Sequence, residues 1–342
     1  MQEGAGAAPD PPIRSLRVLG RGLPLSLIFA GTSGFAVPSL RALVQAGYTV
    51  SAVITQPTRP AGRGRRYRPS PVLVEAQQLG LPVRLPPDIN APAEVAALRS
   101  LSPEVLVVAA YGQILRPPLL TLSRRGAVNL HASLLPAFRG AAPVAHALLA
   151  GETSTGVTLM RMDEGLDTGP ILAQASLDID EADDRGSLTR RLAGRGAALL
   201  VKMLPRHLSG RLPERAQDHA LASLAPSLKK ADGAVRWSQE ARQVHYQVRA
   251  FSPWPGAFTF VGGHRLLLRR VRLLAPGEPV PHGPPGAVGD AVPGAGLPVA
   301  CGAGTGLMLE RVQLASRREM DALAAWRGGY LKAGDLLEPA SS

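Results

Sequence analysis

The sequence predicts an α/β protein, a parallel sheet wrapped by helices and followed by a small antiparallel β-barrel. Three observations predict it. Near the start, the apolar run 25–30 passes through Gly31-Thr32-Ser33-Gly34 into a helical stretch and then a second apolar run at 50–54. Strand, glycine turn, helix, strand is the unit that builds a parallel sheet by a right-handed crossover. Residues 105–110 are apolar at every position, the pattern of a strand buried on both faces. Beyond Ala225 the texture changes to short β-like runs separated by turn signals, as in a small barrel.

The elements follow in order. Gly47 closes the first helix, which runs through Leu40 to Ala46, since a residue without a Cβ readily ends a helix. Residues 71–79 read as a helix, Pro82-Val83 as the start of a short strand, and 93–99 as a further helix. Residues 126–130 form the strand after the central one, 144–150 a helix, and 156–162 another strand. Residues 187–204 repeat apolar side chains at helical spacing, and Arg185, Arg190, Arg191 and Arg195 read as that helix's solvated face. A linker at 216–233 separates a first domain, 25–215, from a second, 234–335. In the second, a helix at 241–250 precedes β-like runs at 265–274 and 306–312, and the Pro- and Gly-rich stretch 275–296 reads as a loop without regular structure.

Composition narrows the function. The chain has 342 residues and a formal net charge of +12, which favours a polyanionic partner. No basic amphipathic helix stands out and no apolar run reaches membrane-spanning length, so nucleic acid ranks ahead of membrane. Cys301 is the single cysteine, which excludes an internal disulfide and a cysteine-rich zinc site and fits a reducing cytoplasm. Residues 1–24 lack the apolar core of a signal peptide. They are expected to be an extension without fixed structure, with a presequence for the mitochondrial matrix as the alternative.

Chemistry concentrates in Ala127-Val128-Asn129-Leu130-His131-Ala132-Ser133-Leu134-Leu135-Pro136. In an extended segment residues i and i+2 share a side, so Asn129 and His131 reach one cleft while Val128 and Leu130 anchor the opposite face. A carboxylate follows in Gly165-Leu166-Asp167-Thr168-Gly169. Amide, imidazole and carboxylate together can polarise a carbonyl and move protons during acyl transfer. Residues 56–69 carry Arg59, Arg63, Arg65, Arg66 and Arg68 with no acid, and their Pro and Gly content predicts a mobile loop leaving the second strand at the crevice end of the sheet. Such a loop suits phosphate-backbone contact. The first turn lacks the G-x-G-x-x-G fingerprint and no acid ends the second strand, which argues against a dinucleotide.

With these words in view the chain resembles the methionyl-tRNA formyltransferase family over most of its length. The resemblance runs through Phe29-Ala30-Gly31-Thr32, Thr55-Gln56-Pro57, Arg59-Pro60-Ala61-Gly62-Arg63-Gly64, Ala109-Ala110-Tyr111-Gly112, the Asn129 to Pro136 stretch, Arg139-Gly140-Ala141-Ala142-Pro143 and Gly165 to Gly169. Arg249-Ala250-Phe251-Ser252-Pro253-Trp254-Pro255-Gly256-Ala257 extends it into the second domain. It implies a Rossmann-like formyltransferase domain and an OB-like barrel that binds tRNA. It implies transfer of the formyl group of 10-formyltetrahydrofolate to the α-amino group of initiator methionyl-tRNA, by a monomer that needs no metal. The superfamily's catalytic Asn, His and Asp fall on Asn129, His131 and Asp167. Its folate-binding residues fall on Ser133, Leu134, Leu135, Pro136, Tyr111 and Gly112. The basic loop falls on the insertion that reaches the acceptor stem, with Arg63 tied to tRNA discrimination, and Lys229 and Lys230 are the nearest linker contacts.

The rival reading is a folate-dependent formyltransferase acting on a small amine, such as glycinamide ribonucleotide or a sugar nucleotide. It shares the Asn-His-Asp set and leaves the arginine loop unexplained. The rings of Tyr111 and Phe138 are candidates either for the pterin pocket or for the core, and Trp254 is expected to pack the second domain. Gly34, Ala132 and Ser227 depart from the family pattern, where an acid, a glycine and a basic residue are frequent.

Overall fold

The computed structural model describes residues 25–61 and 66–339, so the expected extension at 1–24 and the side chains of Arg63 and Arg65 lie outside the described residues. Strand β1 (Ser26–Gly31), helix α1 (Val37–Gln45) and strand β2 (Thr49–Ile54) form the expected parallel unit. Then come β3 (Arg59–Ala61), β4 (Arg66–Arg68), α2 (Pro71–Gln78), β5 (Val83–Arg84), α3 (Pro92–Arg99) and the central β6 (Val105–Ala109). After α4 (Pro117–Leu120) follow β7 (Ala127–His131), α5 (Pro143–Leu149), β8 (Ser154–Arg161), β9 (Ile171–Asp178) and α6 (Arg185–Leu208).

The main sheet has seven strands in the order β5-β2-β1-β6-β7-β8-β9. Strands β5 through β7 are parallel, while β8 and β9 add an antiparallel edge. Strand β9 has no counterpart among the strands expected from the sequence. Its polar Gln174, Ser176 and Asp178 alternate on an edge that is buried only at its start, so no apolar run marks it. The main sheet is buried on both faces, which explains the unbroken apolar runs. Leu27, Phe29, Val105, Val107, Val128 and Leu130 pack under α1 and α6, and Ile28, Ala30, Leu106, Val108 and Tyr111 fill the opposite layer. Because β1 is flanked by β2 on one side and β6 on the other, the connections diverge between β1 and β6. That divergence opens a crevice at the strands' carboxyl ends.

Helix α6 begins with a capping box in which Asp184 Oδ1 accepts from the Ser187 amide at 2.7 Å and Ser187 Oγ accepts from the Asp184 amide at 3.0 Å. Its arginines divide. Arg190 and Arg195 are exposed as expected, but Arg185 and Arg191 are not a solvated face. Arg191 pairs with Asp180 at 2.8 Å and with Asp183, and Arg185 donates to the Trp254 carbonyl at 2.7 Å, with burial pushing its pKa down.

The segment 56–69 also departs from expectation. It is not irregular at its base: β3 and β4 form an antiparallel ribbon pairing Arg59 with Arg68, Pro60 with Tyr67 and Ala61 with Arg66. A two-stranded ribbon consists of edge strands, where a proline need not interrupt a ladder.

The second part contains α7 (Ala241–Phe251), β10 (Ala257–Val261), β11 (His264–Leu273), β12 (Leu297–Ala300), β13 (Gly306–Leu314), β14 (Met320–Asp321) and α8 (Ala322–Arg327). Its strands form a curled antiparallel sheet in the order β10-β11-β13-β12, with β14 on β13, a half-barrel over its own core of Val244, Leu266, Val299, Leu309 and Leu331. Trp254 does not pack this core; its side chain is 46 % exposed. Trp237 takes that place, with its indole N–H donating to Thr259 Oγ1 at 2.9 Å. The stretch 275–296 is a loop, as read, but it is pinned. Val288 is buried and bridges Val299, Ala287 bridges Leu336, and Arg272 donates to both oxygens of Glu278, holding that carboxyl down at about 2.

The two parts are tied where α7 ends. Arg249 donates to the carbonyls of Asp183 and Asp180 at 2.7 Å each, and Ser252 Oγ donates to Asp184 Oδ2 at 2.6 Å. Ala250 and Phe251 are buried with the first core. The C-terminal half-barrel is thus fixed beside the start of α6 by buried apolar contact and by these hydrogen bonds together with that from Arg185 to the Trp254 carbonyl.

Candidate active site

Motif words that lie far apart in sequence meet at the carboxyl ends of β1, β2 and β6. Thr32 Oγ1 donates to the Tyr111 carbonyl at 2.7 Å, and Gln56 Nε2 donates to the same oxygen at 3.0 Å. Gly112, at φ +87°, lies so near the Gln56 amide that a Cβ there would reach 2.5 Å from Nε2. The Tyr111 side chain lies in the core. Its ring is 2 % exposed among Ile28, Leu115 and Leu119, and burial raises its phenol pKa. Its carbonyl is the acceptor that Thr32 and Gln56 share. Phe138 is half-buried, at φ +59°, with its carbonyl accepting from His131.

Strand β7 delivers Asn129 and His131 on one side of the sheet, clamped between β6 and the antiparallel β8, with His131 opposite Thr158. Asp167 arrives from the turn between β8 and β9 in the left-handed conformation, φ +53°. The three converge. Asn129 Nδ2 lies 3.4 Å from Asp167 Oδ1, and His131 Nδ1 lies 3.5 Å from Asp167 Oδ2. His131 Nε2 faces the Phe138 carbonyl at 2.9 Å. The imidazole therefore sits between two acceptors, the Phe138 carbonyl on Nε2 and the Asp167 carboxylate on Nδ1. Asp167 Oδ2 accepts from the Gly140 amide at 2.9 Å, so the carboxylate is anchored by a main-chain donor as well.

The turn after His131 is built from inside. Ser133 Oγ donates to the Ala137 carbonyl at 2.6 Å, Thr158 Oγ1 donates to the Ser133 carbonyl at 2.7 Å and accepts from the Leu135 amide at 3.0 Å, and Gln174 Nε2 donates to the Leu135 carbonyl at 2.9 Å. The polar groups of Ser133 and Leu135 are used within the fold. What the turn offers outward is shape and the half-buried Leu134 and Pro136. Thr158, Gln174 and Gly140 all support the site and were missed by the sequence reading. Thr158 alone had a signal, as the polar residue inside an otherwise apolar strand opposite His131.

The side chains of Lys229 and Lys230 are exposed. Arg68 is exposed at the end of β4, while Arg59 and Arg66 are placed by their strand backbones. Among the described residues no group of His, Cys, Asp and Glu could hold a metal ion.

The Asp167 turn has no room for growth at Gly169. A Cβ there would sit far inside contact distance of the Arg161 carbonyl oxygen, an immobile main-chain atom. Gly169→Ala is expected to destabilise the protein by about 1–3 kcal/mol, the usual scale of overpacking, and to displace Asp167. A lower midpoint in scanning calorimetry together with slower turnover is the expected result; an unchanged midpoint would show that the turn relaxes freely.

A family model described as "Formyl transferase" matches residues 25–204, and one described as "Formyl transferase, C-terminal domain" matches residues 227–329. A methionyl-tRNA formyltransferase of Anaeromyxobacter sp. (strain K) is 47 % identical over 299 residues, covering 87 % of this chain and 95 % of that one. The chain belongs to the methionyl-tRNA formyltransferase family. A second methionyl-tRNA formyltransferase, from Geobacter metallireducens, is 44 % identical over 310 residues, 91 % of this chain and 97 % of its own. Among solved structures, an N-formyltransferase from Helicobacter canadensis in complex with folinic acid and dTDP-3-aminofucose superposes with a TM-score of 0.63 at 17 % identity, covering 86 % of this chain and all of that one. A methionyl-tRNA formyltransferase from Clostridium thermocellum gives 0.52 at 16 %, covering 74 % and 95 %. At such identities these two show the shared fold alone. The formyltransferase fold thus extends over both parts of this chain.

Proposed function

We propose that this formyltransferase moves the formyl group of 10-formyltetrahydrofolate onto the α-amino group of initiator methionyl-tRNA, with Asn129, His131 and Asp167 as the catalytic residues. The convergence of those three side chains, within 3.4 and 3.5 Å of one another across β7 and the β8–β9 turn, is the observation that supports the reading most. The folate supplies a formyl carbon on a nitrogen leaving group. The amine lone pair adds to that carbon, the C–N bond to the folate breaks, and the proton lost by the amine ends on the departing nitrogen. Asn129 Nδ2 is one side-chain donor for the oxygen that gains charge during addition, and His131 supplies a second when its Nε2–H exchanges the Phe138 carbonyl for that oxygen. Asp167, beside both, accepts or holds the amine's proton directly or through water. Leu134, Pro136 and the main chain of Tyr111 and Gly112 form the rim that would receive the folate ring. They fit an apolar, flat group, because the polar atoms of the Ser133 to Pro136 turn are largely consumed by Thr158, Ala137 and Gln174.

A net charge of +12 supports the tRNA as acceptor, as do the arginine ribbon at the crevice end of β2 and the 43–47 % identity to the curated relatives just described and others like them. The deciding assay is transfer of labelled formyl from the folate donor to charged initiator tRNA, with charged elongator tRNA, glycinamide ribonucleotide and an amino-sugar nucleotide as competitors. Transfer to a small amine with none to the charged tRNA would overturn the reading. We assign Arg59, Arg63, Arg65, Arg66, Arg68, Lys229 and Lys230 to the tRNA. Arg63→Ala is expected to lower the salt-dependence slope of tRNA binding by about one and to slow formylation. An unchanged slope and rate would leave Arg63 without that role.

A further inference from the structure

The Asp167 turn is held by a buried relay that the reaction itself does not use. Gln217 Nε2 donates to the carbonyl of Asp167 at 2.8 Å and to that of Gly169 at 2.7 Å, so a single amide clips both ends of the turn. The oxygen of the same amide accepts from Arg139 Nε at 3.1 Å and Nη2 at 2.7 Å. Arg139 and Gln217 are each 6 % exposed. The remaining arm of the guanidinium, Nη1, donates to His219 Nδ1 at 3.2 Å. Among the described residues no carboxylate lies within ion-pair distance of Arg139. Its side-chain partners are an amide and an imidazole.

We infer that Gln217 and Arg139 are positioning residues for formyl transfer, fixing Asp167 against His131 and Asn129; this rests on the catalytic reading given above. A cation placed on the oxygen of an amide polarises it and strengthens its N–H donors, here both aimed at the turn. Asp167 needs that support. A non-glycine residue in the left-handed region persists only where its surroundings dictate it. Arg139 acts from a second direction too. The next residue, Gly140, supplies the amide that holds Asp167 Oδ2 at 2.9 Å. The main chain of Arg139 is itself locked to the strand-like stretch after Gln217, its amide donating to the Ser223 carbonyl at 2.8 Å and its carbonyl accepting from Ala225 at 2.7 Å. Carboxylate and turn carbonyl are thus referenced to one rigid stretch. The separations they set, 3.4 Å to Asn129 and 3.5 Å to His131, stand at the limit of hydrogen bonding. A few tenths of an ångström then decide whether the carboxylate engages.

A buried cation without a carboxylate partner contributes little to stability compared with an apolar filling of equal shape. Its hold on the amide that clips both ends of the Asp167 turn points to a different use. A merely structural role would lower the melting midpoint and leave the chemistry of the folded fraction intact.

The test is the kcat and KM of the folded protein for charged tRNA and folate donor, across Gln217→Met, Gln217→Glu, Arg139→Met, Arg139→Lys and the double methionine variant. Gln217→Met is expected to lower kcat about 30- to 100-fold, the scale of cost for misplacing a reacting group by up to about 1 Å. Both KM values should stay within about threefold. Gln217→Glu keeps the shape and the Arg139 partnership but removes both donors, and should fall as far. It carries the test even if Arg139→Met does not fold. Arg139→Lys should recover most of the rate lost in Arg139→Met, and the double variant should be no slower than the slower single. Near-normal kcat in both Gln217 variants, or losses that multiply in the double variant, would overturn the inference. The wild-type chain run alongside separates the two levels: no transfer by wild type defeats the proposed function, whereas full transfer by wild type and Gln217→Glu alike defeats only the relay.

Discussion

Asp167→Asn is expected to cut the rate of formyl transfer by about 10²- to 10⁴-fold, the range associated with a positioned acid–base group, with tRNA and folate affinities nearly unchanged. The substitution separates two roles that alanine would merge. Asp167 stands at φ +53°, and Asn tolerates that conformation as well as Asp does. An Asn oxygen can still accept from the Gly140 amide, as Oδ2 now does at 2.9 Å, and the backbone carbonyl remains available to Gln217. The turn should survive. What disappears is the negative charge 3.5 Å from His131 Nδ1 and the ability to receive a proton there. A single-turnover measurement with pre-formed charged tRNA reads the chemical step apart from binding. If the Asn variant runs within a few-fold of wild type, Asp167 serves only to shape the turn.

Much of the architecture is legible in the sequence because the strands that build it are buried on both faces. Residues 105–110 cannot be placed except as a central strand, and β6 is found there between β1 and β7. Asn129 and His131 are legible for the same reason: two polar residues at i and i+2 interrupt a run that is otherwise apolar, and β7 projects both to one side. Edge elements leave weaker marks. Strand β9 buries only its first residues fully, and the β3–β4 ribbon hides its pairing behind proline and glycine. The supports of the site are the least legible. Gln217 and Thr158 act through hydrogen bonds to main-chain atoms 48 to 50 and 23 to 25 residues away; Thr158 stands out only as a polar residue in an apolar strand, and nothing in the local pattern marks Gln217. Trp254 shows the converse error. An aromatic residue between two prolines suggests packing, yet it is the backbone carbonyl that docks, onto Arg185, leaving the ring outside.

Removing the two donors on β7 should have the other large effect. Asn129→Ala and His131→Ala are each expected to lower kcat by about 10²- to 10³-fold, the cost of deleting one donor to a developing oxyanion. Neither substitution touches the helices or the arginine ribbon, so tRNA affinity should hold. The two should differ in what they leave behind. Asn129 is half-buried and reaches Asp167 only at 3.4 Å, so its loss leaves the carboxylate on the Gly140 amide and the imidazole in place. His131 is 6 % exposed and joins the Phe138 carbonyl to Asp167, so its loss removes a donor and breaks the connection between the turn after β7 and the turn after β8. His131→Ala should therefore be the slower of the two. The double variant should fall short of the product of the singles, because groups that act as one unit cannot be removed twice. Rates for the singles and the double, each against tRNA affinity, check this. Losses that multiply would mean that Asn129 and His131 stabilise different moments of the reaction, and the assignment of both to one developing charge would have to be given up.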